Sequence, residues 1–392
     1  MDAHTIKHKG VVSERMLLEE PAEVKKTNML DPLDALRAFA VLMVFLLHAA
    51  LFSGLPPTKD MFIFYLPAWA GVWILFILSG YLIGSGFKTG RYKNTIDYLK
   101  KKVVRICVPY YVFMFIVLLL LSPGLAINDP ITILRILTFT YNGMPGEVGY
   151  GLVWFISTLM QFYIISIFFD MLVRRINKNR YACTVLFILL LLSGLILRQI
   201  LYDAGSDWVK FVYTLSLTNL DIFFCGFLLN WMFDKEKEPK AKNIRRKNIL
   251  APVSIVLLLS SVLFFAYCQV ASDPGLSIFY MYRGQTLMIL IICFFIYCLD
   301  RSVREHNEKL SLNAIKKNPL RIVECFAVIS LGFYLWHSVI LYKTVSVFHP
   351  HPTITDHLIT LAVAGVLSIL MAAIFYYSVE KWSARMLGRS KE

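Results

Sequence analysis

The sequence predicts an all-α polytopic membrane protein, about ten transmembrane helices around a central cavity, and three observations carry that fold class. Hydrophobic residues make up 57% of the 392 and charged residues only 17%, too few to cover a soluble domain of this length; mean hydropathy is +0.62. Apolar runs close to the ~20 residues needed to cross a bilayer recur along the chain. Basic residues gather in every second connection, as topology requires of a multi-pass protein.

Ten runs are read as spans: 35–54, 67–87, 103–122, 149–170, 181–201, 211–233, 249–270, 279–299, 322–343 and 357–378. Residues 1–30 precede them as a mixed-charge cytoplasmic tail, 31–382 form the membrane domain, and 383–392 form a cytoplasmic C-terminal tail. The first run is too long for a cleaved signal peptide and stays in the protein. Connections 88–105, 171–180, 234–248 and 300–321 hold 7, 4, 7 and 6 Lys plus Arg. The alternate connections hold Lys59, Arg135, Lys210 and Arg283, with Lys343 at an edge. The first set is therefore expected in the cytoplasm, which puts both termini there too. The net charge of +14 reads as this topology and not as a nucleic-acid surface.

Within the long connection 122–151, Ile131 to Phe139 reads as a short amphipathic or re-entrant helix. Six of the seven tryptophans fall near span ends, as an aromatic belt has them; Trp336 lies deep in the ninth run. The seven cysteines form no CxxC pair and are odd in number, so they read as small buried hydrophobes, with no disulfide framework and no metal site.

Ionisable residues inside apolar runs cost about 2.5–3.5 kcal/mol each on insertion scales, so each needs a partner or a purpose. "LDALRAFAVLMVFLLH" (33–48) holds three. Arg37 and His48 are eleven residues apart, about 20° from whole turns at 100° per residue, and about 16 Å apart along the axis. One face thus carries an anion binder at the inner boundary and an imidazole past the midplane. Asp34, one turn before Arg37, is placed to pair with it. A snorkelling anchor is the plainer reading of Arg37, and an interhelical hydrogen bond that of His48. A catalytic base is the other reading of His48, because imidazole titrates near neutrality.

His337 in "LGFYLWHSVIL" lies 13 residues past Glu324, and His48 lies 12 past Leu36, so the two imidazoles are expected at one depth. Asp221 sits near mid-bilayer and Glu380 at the inner boundary, each suited to an ion pair or to binding. Lys102 and Arg105, at i and i+3 after Lys100 and Lys101, suit either lipid headgroups or the phosphates of a nucleotide.

Taken together, these segments resemble the acyltransferase family 3 membrane proteins. Arg37 and His48 match the first-helix signature of an Arg and a His with ten residues between them. "GVWILFILSGYLIG" (71–84), "YLKKKVVRICVPYY" (98–111), "WFISTLMQFYII" (154–165), "LDIFFCGFLL" (220–229), "ISLGFYLWHSVIL" (329–341) and "YYSVEKW" (376–382) follow in the family's order. Lys102 and Arg105 fall on its paired-arginine motif, with Lys in place of the first Arg. Leu159 and Met160 stand where many members have two Glu, which suggests a branch acting on exopolysaccharide or another surface glycan.

The resemblance implies a stand-alone ten-helix acyltransferase of the plasma membrane, without a fused SGNH domain. It would move acetyl, or another short acyl group, from cytoplasmic acetyl-CoA or a similar acyl-CoA to a hydroxyl of a glycan acceptor. No metal is implied, and polysaccharide-synthesis proteins are possible partners. His48 and Arg37 carry over as catalytic, and Arg37, Lys102 and Arg105 as donor-binding. Asp34, Trp154, Asp221, Trp336, His337 and Glu380 are the expected supporting or acceptor-side residues. A secondary transporter or glycan exporter also suits spans with buried charge, and a non-catalytic partner in a synthesis complex is a third reading.

Overall fold

The computed structural model describes residues 32–121, 129–142, 153–177, 180–232, 241–271, 273–299 and 321–388. The expected N-terminal tail and nearly all of the basic connection 300–321 lie outside them. Among the described residues helix is the only regular secondary structure, and there is no strand. This follows from a bilayer setting, where each backbone N–H and C=O must find its partner within the protein.

Helices α1 (Pro32–Phe52), α2 (Ala68–Lys88), α3 (Thr95–Leu119), α4 (Pro130–Leu137), α5 (Val153–Ile176), α6 (Arg180–Asp203) and α7 (Leu220–Met232) make the first part. After them come α8 (Ala241–Val270), α9 (Pro274–Leu299), α10 (Arg321–Val328), α11 (Ser330–Phe348) and α12 (Ile354–Phe375). The chain runs on past α12 through Tyr376–Glu380 to a final short helix at Lys381–Gly388.

Among the described residues eight helices are long and apolar enough to span, or nine when α10 and α11, bent by 76° across Ile329, count as one. The sixth expected run, 211–233, contains the shorter apolar helix α7, entered through a wide π-type turn at Trp208–Tyr213 and one turn of 3₁₀ helix at Leu217–Asn219. The Asn219 amide holds this break together by donating to the carbonyls of Tyr213 and Leu215 at 2.9 and 2.7 Å.

Side-chain caps mark several helix starts. Asp129 accepts from Thr132 N at 3.0 Å with Pro130 in the first turn of α4, and Thr353 accepts from Asp356 N at 3.2 Å to open α12. Six of the seven cysteines are buried, the seventh, Cys325, partly so.

Burial separates an inner set of helices from an outer one. The apolar windows of α1, α2, α5 and α9 are 56–61% buried, against 22% for α6, 33% for α8 and 28% for α12, which turn Ile188, Val256 and Leu370 outward toward lipid. The closest packing joins α2 to α7. A Cβ on Gly80 would lie 1.9 Å from the carbonyl oxygen of Phe223, and one on Gly226 would lie 2.2 Å from that of Ile77, so the two backbones touch through paired glycines. α1 packs on α2 on one side and on α10 and α11 on the other. The side chains of α1 and α11 thereby meet.

Helix α4 lies where the short amphipathic helix was expected. Its Ile131, Leu134 and Leu137 are exposed while Ile136 is fully buried, and the hydroxyls of Tyr110 and Tyr111 on α3 donate to the carbonyls of Ile136 and Leu137 at 3.0 and 2.7 Å. Two π-type turns interrupt helices at the end of the bundle where α1 begins: Val103–Cys107 inside α3, and Tyr376–Glu380 after α12.

Candidate active site

His48 stands one turn before the end of α1, and His337 lies in the middle of α11. Their ring planes lie within 25° of parallel with centroids 5.3 Å apart, and His48 Nδ1 lies 3.1 Å from His337 Nε2. His337 is wholly buried, walled by Phe333 stacked at 5.9 Å and by Phe45 edge-on at 6.2 Å. Its other nitrogen, Nδ1, lies 3.1 Å from the carbonyl oxygen of Phe333, one turn back on its own helix. His48 differs: it is only partly buried and keeps some accessible surface. The expected common depth of the two imidazoles appears here as direct contact.

Eleven residues earlier, Arg37 NH1 pairs with Asp34 Oδ1 at 2.7 Å, with both side chains about a quarter exposed, at 26% and 25%. The guanidiniums of Arg37 and Arg105 both act on the phenol of Tyr163, a buried residue of α5, and Lys102 Nζ stands 4.7 Å from the centroid of that ring. Lys102 thus touches this tyrosine directly, while the charges of Arg37 and Arg105 reach it through space from two helices. Glu380 joins them at the same end: Arg105 acts on its carboxylate, which rests against Gly332 at the start of α11. That carboxylate faces the positive end of a helix that begins inside the apolar body.

The remaining expected residues fall elsewhere. Trp154 packs edge-on to Tyr213 at 4.6 Å within an aromatic cluster with Trp208 and Trp69. It connects to the histidine pair indirectly, since Phe155 lies 5.0 Å from Tyr334 and Tyr334 lies 5.8 Å from His337. Trp336 points away from the pair, toward Phe113 at 5.0 Å and Phe375 at 6.0 Å, and its buried Nε1 has no hydrogen-bond partner among the described residues.

Asp221 is engaged in architecture. Arg198 of α6 grips it with two bonds, NH2 to Oδ2 at 2.8 Å and NH1 to Oδ1 at 3.3 Å, and also donates to the Thr218 carbonyl and the Thr286 hydroxyl. A Cβ on Gly194 would lie 2.1 Å from Asp221 Oδ2, so the absence of a side chain there makes room for the carboxylate.

Three residues of weight escape the sequence reading. Arg198 carries its own signal, a charge near the end of the fifth apolar run, but its partner is 23 residues away on another helix. Tyr163 is one ring among many until the cations converge on it. His357, fully covered, meets Ser53 Oγ at 2.9 Å and clamps the end of α1 to α12. Among the described residues no three His, Cys, Asp or Glu side chains gather as a metal site would need.

Helix α1 thus presents Arg37 at one end, near the cations of α3, and, about 16 Å further on, a partly exposed imidazole backed by a second. Such an arrangement can hold an anionic substrate at one end and move a proton at the other. The family comparison agrees with that chemistry. A model described as an acyltransferase domain matches residues 31–377, nearly the whole chain, and the protein belongs to this family, acyltransferase family 3. It is a membrane acyltransferase. No curated protein and no solved structure matches the chain.

Proposed function

We propose that this protein moves a short acyl group, acetyl in the first instance, from cytoplasmic acyl-CoA to a hydroxyl of a cell-surface polysaccharide or related glycan across the plasma membrane. The observation that carries this reading is the pairing, on α1, of Arg37 near the cations of α3 and His48 within contact of His337.

In this reading both termini and the cation cluster face the cytoplasm, in keeping with the distribution of Lys and Arg along the chain. Arg37, Lys102 and Arg105 hold the phosphates of the nucleotide end. The extended arm of the donor runs along α1 and delivers its thioester carbonyl to His48. His48 takes the proton of the acceptor hydroxyl as the oxygen attacks that carbonyl. The C–S bond then breaks, the thiolate leaves, and it recovers the proton from His48. The apolar walls around the pair keep bulk water from the thioester.

The test is reconstitution of the full chain with radiolabelled acetyl-CoA and surface polysaccharide purified from the cells that make it. Transfer of label by the wild type, abolished in His48→Ala at equal protein level, is the expected result. A wild-type protein that binds or moves the glycan but transfers no label would make it a carrier instead.

A further inference from the structure

We propose that His337 is a positioning residue that fixes the ring proton of His48 on Nδ1, so that Nε2 of His48 is the nitrogen that receives the acceptor's proton. This rests on the acyl-transfer reading above and adds to it which atom of the base reacts and what selects it.

The assignment follows from hydrogen-bond valence alone. A carbonyl oxygen only accepts, so the 3.1 Å contact of His337 Nδ1 with the Phe333 carbonyl places a proton on that Nδ1. A neutral imidazole carries one ring proton, which leaves Nε2 of His337 as a bare acceptor. His48 Nδ1 sits 3.1 Å from that acceptor, so the pair is a hydrogen bond only with His48 Nδ1 as the donor. His48 then has its own Nε2 bare. The rings relay a backbone carbonyl's demand for a proton through two histidines, and the last lone pair in the series belongs to the one histidine of the two that keeps accessible surface.

The relay is rigid at its root. The Phe333 carbonyl is part of α11, and the His337 ring lies stacked on Phe333 at an interplanar angle of 9° with Phe45 edge-on, so rotation of that ring would cost packing as well as a hydrogen bond. During the reaction the balance is simple. The acceptor O–H bond breaks, its proton goes to His48 Nε2, the oxygen–carbon bond forms, and the C–S bond breaks. The proton on His48 Nε2 then passes to the leaving thiolate. While His48 is cationic, its Nδ1–H bond to His337 Nε2 becomes charge-assisted and stronger, which stabilises the charge that develops in the transition state.

Two substitutions separate positioning from packing. In His337→Gln the amide oxygen falls near the place of Nε2 and accepts from His48 Nδ1; in His337→Leu the volume is kept and the acceptor is lost. With radiolabelled acetyl-CoA and the purified polysaccharide, His337→Leu is expected to lower kcat about 100-fold or more with KM for acetyl-CoA within about twofold of wild type. His337→Gln is expected to recover at least about tenfold of that loss. Equal loss in both variants, or wild-type kcat in His337→Leu, overturns the proposal while leaving the acyl-transfer reading standing.

A second measurement needs neither a variant of His337 nor turnover. Nitrogen NMR of histidine-labelled wild-type protein in nanodiscs, with the His48 signals assigned by their loss in His48→Gln, reports which ring nitrogen carries hydrogen. A protonated Nδ1 with a bare Nε2 supports the proposal, and the reverse tautomer overturns it. Absence of acyl transfer by the wild type, with that tautomer present, would count against the function and not against the proton's position.

Discussion

Two polar pairs lie within the apolar body of this protein, and they are opposite in kind. Arg198 and Asp221 are 0% and 2% exposed, joined by two direct bonds, and backed by Thr218, Thr286 and the gap left at Gly194. His48 and His337 share one contact, and His48 remains reachable. The first pair has spent nearly all its hydrogen-bonding capacity on holding α6 to α7; the second has kept one nitrogen in reserve. Charge or polarity at mid-bilayer is therefore a poor guide to function by itself. What separates the pairs is residual access together with unspent valence.

That distinction breaks in measurable ways. The largest effect is expected for His48→Ala. Acyl transfer should fall by about 10²–10⁴-fold, while thermal stability in detergent changes little, because water entering the vacated space can satisfy His337 Nε2. An equally large loss of stability would make the histidines another architectural pair.

Next is Asp221→Ala, which leaves the Arg198 guanidinium buried without its carboxylate. It should cost about 3–5 kcal/mol, seen as loss of folded protein in size-exclusion chromatography. The double variant Arg198→Met/Asp221→Leu should recover most of that yield. Full activity and yield in Asp221→Ala would erase the contrast drawn here.

A smaller effect sharpens the functional side. Arg37→Ala should raise KM for acetyl-CoA about tenfold with kcat held more nearly constant, since the charge lies about 16 Å from His48 along α1. The smallest is Trp336→Phe. Its indole N–H has no hydrogen-bond partner among the described residues, so its removal should shift stability by less than about 1 kcal/mol, read from the melting temperature.

Much of this architecture is legible in the chain. The lengths of the apolar runs and the alternation of basic connections define the membrane class, because both reflect local costs of transfer that each segment meets alone. The depth match between His48 and His337 is also readable, by counting from the polar ends of two helices. The approximate place of α4 follows from amphipathic spacing, and the Asp129–Pro130 step fits its start.

Other features depend on partners distant in sequence. The run 211–233 looks continuous by hydropathy, yet Asn219 draws the carbonyls of Tyr213 and Leu215 out of regular helix. The 76° bend at Ile329 has neither Gly nor Pro at the break to announce it. The role of Tyr163 arises when Arg37 and Arg105 arrive from separate helices. No period or spacing within one segment encodes such a meeting.

The two wide turns, Val103–Cys107 and Tyr376–Glu380, have a consequence for how this site can change. Arg105 lies inside one and Glu380 closes the other, and the two side chains act on each other. A π-type turn accommodates one residue more than regular helix does. Removing a single residue from either turn would advance everything beyond it by about 100° around the axis, swinging a charged group from its partner toward lipid without altering any other letter of the chain. At these two places the length of the polypeptide is itself a determinant of the site, one that comparison of substitutions alone would miss.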